Sequence, residues 1–157
     1  MARRVADLLG AGGFVTEEIR EGGRRVGFSV ERLGGERGVL AHVEVPGPPR
    51  VGRYGVDLAE FERIAIPALE EAGDVAVVDE LGKMELFSPA FVDAVEALFS
   101  RPVAVLATVQ TSAHPFTDAL KAREDVELVR LTRAERDALP ARLAERLSAS
   151  AARRPPS

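Results

Sequence analysis

The sequence has no cysteine and no tryptophan, and only two of its 21 basic side chains are lysines. Without thiols there are no disulfides, no thiolate catalysis and no cysteine-held zinc or iron–sulfur centre, and a reducing compartment is permitted. The two histidines, His42 and His114, stand too far apart for a local metal motif. No apolar run approaches the roughly 18 to 20 residues that span a bilayer. The short stretch 5–9 behind Arg3 and Arg4 is too brief and too polar for a signal-peptide core. The cytoplasm is therefore the expected location, with no membrane partner. A formal charge of −4 lacks the basic surplus that draws a protein to nucleic acid, so nucleic acid is not an expected partner.

What remains is a soluble-type composition, 46 % apolar and 29 % charged, in a chain of 157 residues. That length suits one core, and a single α/β domain is expected over residues 1–150, with 151–157 as a disordered tail. Val5, Leu8 and Leu9 at i, i+3 and i+4 predict an amphipathic helix that ends at Gly10-Ala11-Gly12-Gly13. Beyond Phe14 the period shortens toward two, and Gly22-Gly23 and Gly34-Gly35 divide the stretch into successive hairpin strands. The proline-rich 46–49 must be a loop, and 50–56 reads as one further strand.

From Asp57 onward strands alternate with helices, which implies a parallel sheet carrying the hairpins as an insertion. Asp57 with Glu60 caps a helix that Pro67 should kink or break, and Ser88-Pro89 opens another. Residues 75–78 and 103–109 carry the unbroken apolar pattern of buried strands, 115–123 looks helical, and 126–131 predicts a last strand. Thr132 and Glu135 then cap a final helix interrupted by Pro140.

The chemistry centres on Asp79-Glu80, which follows the apolar run 75–78. Ligands of open α/β sheets gather beyond the carboxyl ends of the strands. There an aspartate can hold Mg²⁺ and the next glutamate can take a proton from an attacking water. The plainer reading of four apolar residues followed by two acids is a buried strand ending at a solvated turn.

The surrounding residues weigh on that choice. Residues 77–95, VVDELGKMELFSPAFVDAV, resemble the Walker B region of the small nucleoside-triphosphatase family that includes the THEP1 enzymes and a human cancer-related counterpart. GFVTEEIREGGRRVGF at 13–28, RVGRYGVDL at 50–58 and, more weakly, 106–123 carry the same resemblance in the same order. It implies a RecA-like P-loop NTPase sheet with flanking helices and a β-hairpin insertion. It also implies Mg²⁺-dependent hydrolysis of ATP, GTP and other nucleoside triphosphates to the diphosphate and phosphate, with Asp79 at the metal and Glu80 as general base.

Family members carry a first strand and a loop of the form GxxxxGK[ST] ahead of the first helix, where backbone amides and the lysine surround the phosphates. Lys83 is followed by Met84 and Lys121 by Ala122, so neither supplies that loop. The first strand and loop are expected to be missing, through a start codon assigned too far downstream or through real loss. Hydrolysis by the 157 residues alone should then be slight, and an exposed sheet edge would invite self-association.

Further candidates have a plain alternative each. Lys83 would stabilise phosphate charge, or is a solvated loop lysine paired with Glu85. Thr108 and Gln110 close a strand where a polar group could meet the nucleotide, and Arg123 is an arginine-finger candidate or a surface arginine. Thr16, Glu17 and Glu18 read as a solvent-facing strand end, and Arg20, Arg24 and Arg25 as exposed flanks of a turn. His42 should pack within the hairpins, and His114 should belong to a turn. The rival to hydrolysis is a non-hydrolytic α/β module that binds nucleotide weakly or serves protein interaction.

Overall fold

The computed structural model describes residues 1–155. Helix α1 (Ala2–Leu9) ends at Gly10, whose left-handed backbone (φ 58°) lets the chain turn at once into the sheet. Strands β1 (Gly12–Glu21) and β2 (Arg24–Arg32) form a hairpin across Gly22-Gly23. Both glycines have positive φ, the geometry that a two-residue turn between twisted strands requires. Strand β3 (Arg37–His42) extends the meander, and two short strands, β4 (Arg50–Val51) and β5 (Tyr54–Val56), complete it.

Helix α2 (Leu58–Glu70) leads to β6 (Val75–Leu81), and α3 (Pro89–Phe99) to β7 (Ala104–Val109). Helices α4 (Pro115–Lys121) and α5 (Leu139–Ala152) follow. All seven strands share one sheet in the order β4-β5-β3-β2-β1-β6-β7. Strands β1, β6 and β7 run parallel, whereas β1 to β5 pair antiparallel, so β1 is the strand where the two regimes meet. Gly13 makes that junction possible: a Cβ there would lie 1.9 Å from the Val77 carbonyl oxygen.

Alternation along the strands feeds two apolar layers. Phe14, Ala76 and Val78 face α2 and α3, where Phe14, Phe61 and Phe91 meet edge to face with centroids 4.8–5.7 Å apart. Val15 and Val77 face the other way, toward Ala2 and Ala6 of α1. Beside them Val5 packs on Leu139 and Leu143 of α5. The domain is thus a mixed α/β sheet with helices on both faces of its parallel part. No helix among the described residues is long and apolar enough to cross a membrane.

Several sequence expectations change. The hairpin strands join the parallel strands in one sheet. Residues 50–56 make two short strands around a turn at Gly52 (φ 57°). Pro67 does not break α2, because it costs one backbone bond while the apolar face formed by Phe61, Ile64, Ala65, Ala68 and Leu69 stays buried. Pro140 starts α5 from its first turn instead of interrupting it, and Thr132 and Glu135 bound a separate one-turn 3-10 helix. Helix α5 reaches Ala152, two residues into the expected tail; residues 156–157 lie outside the described residues.

Residues 126–131 form no strand, and Leu128, Val129 and Leu131 stand exposed. A ladder needs a neighbour. The outer edge of β7 pairs with nothing among the described residues, and β7 itself, expected to be buried, is largely half-exposed.

Candidate active site

Strand β6 runs three residues past the apolar run 75–78, so Asp79 and Glu80 lie within the strand rather than after it. The peptide between them is cis. Beside them β7 ends in parallel register, and Thr108 Oγ1 donates a 2.7 Å hydrogen bond to Asp79 Oδ1. The structure therefore brings together two of the residues singled out from sequence, at the carboxyl rim of adjacent parallel strands.

Burial pushes the Asp79 carboxyl above the ordinary range, partly offset by the Thr108 bond, the Met1 ammonium and the Arg3 guanidinium. The start of α1 thus faces Asp79. Arg3 is itself held there by Glu17 (2.9 Å) and by both oxygens of Glu31 (2.8 and 3.3 Å). Glu17 is exposed, as expected of a solvent-facing strand residue, and binds Arg3. Glu80 is also pushed up, first by burial and then by the Asp79 charge, and no cationic side chain pairs with it among the described residues.

Glu85 follows in a one-turn 3-10 helix (Glu85–Phe87) and is 3 % exposed. Burial raises its carboxyl to about 8, with the charges of Glu80 and Asp79 adding and the backbone amides of Glu85 and Gly82 offsetting part. Sequence reasoning offered Glu85 only as a surface partner for Lys83. The structure corrects that: Glu85 is inside, while Lys83 is exposed and without an ion pair among the described residues. The signal was available, since Glu85 is flanked by Met84, Leu86 and Phe87.

Arg123 is not brought to this rim. Its guanidinium binds Asp125 (2.7 and 2.8 Å), lies 5.5 Å from the Phe99 ring centroid and lines a groove between α3 and α4. Gln110 serves through its backbone, donating to the Leu81 carbonyl (3.3 Å) and accepting from Lys121 Nζ (3.3 Å). Arg20 and Arg25 bind Glu18, and Arg25 also reaches the Tyr54 hydroxyl. His42 accepts from the Glu44 amide, as a packed hairpin histidine can. His114 caps α4 by accepting from the Phe116 amide, a more specific task than a turn.

Among the described residues no three histidine or acidic side chains converge as a ready-made metal cage. A magnesium site does not require one, because that ion takes one or two carboxylates and completes its shell with water and phosphate oxygens. The donors at hand, the Asp79 carboxylate and Thr108 hydroxyl with Glu80 beside them, are all hard oxygens and fit it.

A sheet of this kind, with an acid pair at its parallel rim, is the architecture of nucleotide-handling α/β proteins. The family model described as NTPase matches residues 1–144. The nucleoside-triphosphatase THEP1 of Thermotoga maritima is 44 % identical over 135 residues, which covers 84 % of this chain and 78 % of that protein. The human cancer-related nucleoside-triphosphatase is 41 % identical over 143 residues, covering 81 % and 75 %. The crystal structure of THEP1 from Aquifex aeolicus superposes with a TM-score of 0.83 at 32 % identity, over 93 % of this chain and 90 % of that one. The chain belongs to the THEP1-like NTPase family.

Proposed function

We propose that the chain is a cytoplasmic nucleoside-triphosphatase of broad base tolerance, ATP and GTP included, whose chemistry is organised by Asp79 and Glu80. The observation that carries this reading is the Thr108–Asp79 hydrogen bond beside an unpaired, half-buried Glu80 at the ends of two parallel strands. Family membership supports hydrolysis as the reaction class.

In this reading Asp79, held in one rotamer by Thr108, would carry Mg²⁺ directly or through water. The ion would neutralise charge on the phosphate oxygens. Glu80 accepts the proton of the water whose oxygen attacks the γ-phosphorus, while the bond from phosphorus to the β–γ bridging oxygen breaks and the diphosphate leaves. Its raised proton affinity suits a base that must take up a proton near neutral pH. Lys83, exposed on the next turn, is free to swing toward phosphate, whereas Arg123 would first have to leave Asp125.

The alternative reading is a non-hydrolytic α/β module that binds nucleotide weakly or serves protein interaction. Phosphate release separates the two. A strand and GxxxxGK[ST] loop from a family relative, grafted ahead of Met1, should yield Mg²⁺-dependent turnover, against little from the 157 residues alone. In the grafted chain Glu80→Gln should lower the rate by roughly 10²-fold or more. Equal rates for the two grafted chains would remove Glu80 from the mechanism, and a silent grafted chain would leave the non-hydrolytic module.

A further inference from the structure

We infer that Glu85 is a positioning residue: from its buried seat behind Gly82 it holds the turn that follows β6 and so fixes the Glu80 carboxylate at the rim. The inference rests on the hydrolytic reading above for the meaning of Glu80, but its geometry stands without it.

Gly82 is the pivot. A Cβ at that position would meet Glu85 Oε2 at 2.9 Å and Glu80 Oε1 at 3.0 Å, so the two carboxyl groups close on the same glycine. A side chain there would have to push both carboxyl groups aside. The turn is then locked on its far side by a continuous set of bonds. The Leu86 amide donates to the Gly82 carbonyl (3.0 Å), and the Ser88 amide to the Glu85 carbonyl (3.1 Å). Ser88 Oγ accepts from the Phe91 amide at the start of α3 and donates to Glu62 Oε1 of α2 at 2.6 Å. Glu85 thus stands midway between the rim acid and the helical layer, and the rim inherits the rigidity of that layer.

An acid seated this deeply without a cationic partner costs the fold stability, and a leucine would fill the space at lower cost. Two features give the carboxyl a task that an apolar group cannot perform. The carboxyl lies against Gly82, 2.9 Å from where a Cβ on that residue would stand, so it backs the turn. Its environment favours the uncharged acid, so it adds no second negative charge beside Glu80. Glutamine offers the same carbonyl acceptor in the same shape, whereas alanine offers neither acceptor nor bulk.

Amide hydrogen exchange on the 157-residue chain is the direct test. Exchange at residues 80–83 in Glu85→Ala should be faster by ~10-fold or more, with amides of β2 and β3 unchanged, and Glu85→Gln should return it to within about twofold of the parent. In the loop-grafted chain, Glu85→Ala should lower kcat at constant KM, and Glu85→Gln should restore it. The inference is overturned if Glu85→Ala leaves 80–83 protected, if exchange rises equally throughout the sheet, or if glutamine fails to rescue. A grafted chain that releases no phosphate would defeat the hydrolytic reading, while the exchange result would still decide whether Glu85 holds the turn.

Discussion

On the hairpin side of the molecule Glu18, Glu31 and Glu60 each bind an arginine, and those guanidinium hydrogen bonds hold the three carboxyls below the ordinary range. At the tip of β6, Asp79, Glu80 and Glu85 make no guanidinium bond, and burial pushes all three up. The same chemical group is stabilised as an anion in one region and penalised as an anion in the other. Acids of the first kind hold strands together. Those of the second cost the fold stability, a penalty that a cation bound beside them would reverse.

The sharpest way to break this contrast is to neutralise one acid from each side. Glu80→Gln should cost roughly 10² to 10⁴ in hydrolysis by the loop-grafted chain and leave thermal stability unharmed, since it removes a penalised charge. Glu31→Gln should do the opposite. A rate loss per folded molecule for Glu31→Gln equal to that of Glu80→Gln would show that the two classes are not functionally distinct.

The next largest effect is on stability against pH. Glu85, raised to about 8 from 4.5, binds its proton more tightly in the native state. Its contribution is complete below pH 4.5 and is lost as pH rises toward about 8. The arginine-paired acids act in the other window: their contribution is present above the unfolded value and disappears as pH falls below it. Urea unfolding should therefore show stability declining from pH 5 to pH 8 by something on the order of 3 kcal/mol, and Glu85→Gln should flatten that decline. A parent chain equally stable at both pH values would remove Glu85 from the penalised class.

Smaller still is the worth of one paired acid. Arg3 binds Glu31 through two nitrogens, but both ends keep solvent contact, with 36 % and 23 % of the side chains exposed. Glu31→Gln should cost about 1 kcal/mol, seen as a fall in Tm of ~2–4 °C. A loss several times larger would mean that Arg3 carries the seating of α1 against the rim.

The residues that specify this architecture differ in how openly they do so. Gly22-Gly23, Asp57 with Glu60, and Ser88-Pro89 announce their turns and caps because each acts within four residues of itself, and all appear where the pattern puts them. The acid pair was legible for the same reason, a short apolar run ending in charge. Pairing is not local. Nothing in VELVRL says whether a neighbouring strand exists, and 126–131, whose composition suits a strand, stays unpaired beside an open β7 edge. Nor could the sequence reveal that Arg3 reaches Glu31 across 28 residues, or that Glu85 turns inward rather than toward Lys83. Those depend on which face the sheet gives each element.

The finest probe of the contrast is optical. Tyr54 is the only tyrosine, and there is no tryptophan, so phenolate absorbance reports one residue alone. Its hydroxyl receives hydrogen bonds from Arg25 (3.0 Å) and Arg53 (3.2 Å), and these hold its pKa below the ordinary 10.0. The anion is favoured here for the same reason as at Glu18, whose carboxylate binds the same Arg25. Spectrophotometric titration should place the Tyr54 midpoint below 10.0, with Arg25→Ala raising it more than Arg53→Ala because Arg25 is the larger cause. Each change should leave Tm little altered, since these arginines are exposed and their bonds are worth little net stability. A midpoint at or above 10.0, or one indifferent to both substitutions, would mean that the guanidinium groups are mobile in solution and that the hairpin side does not favour anions as its geometry requires.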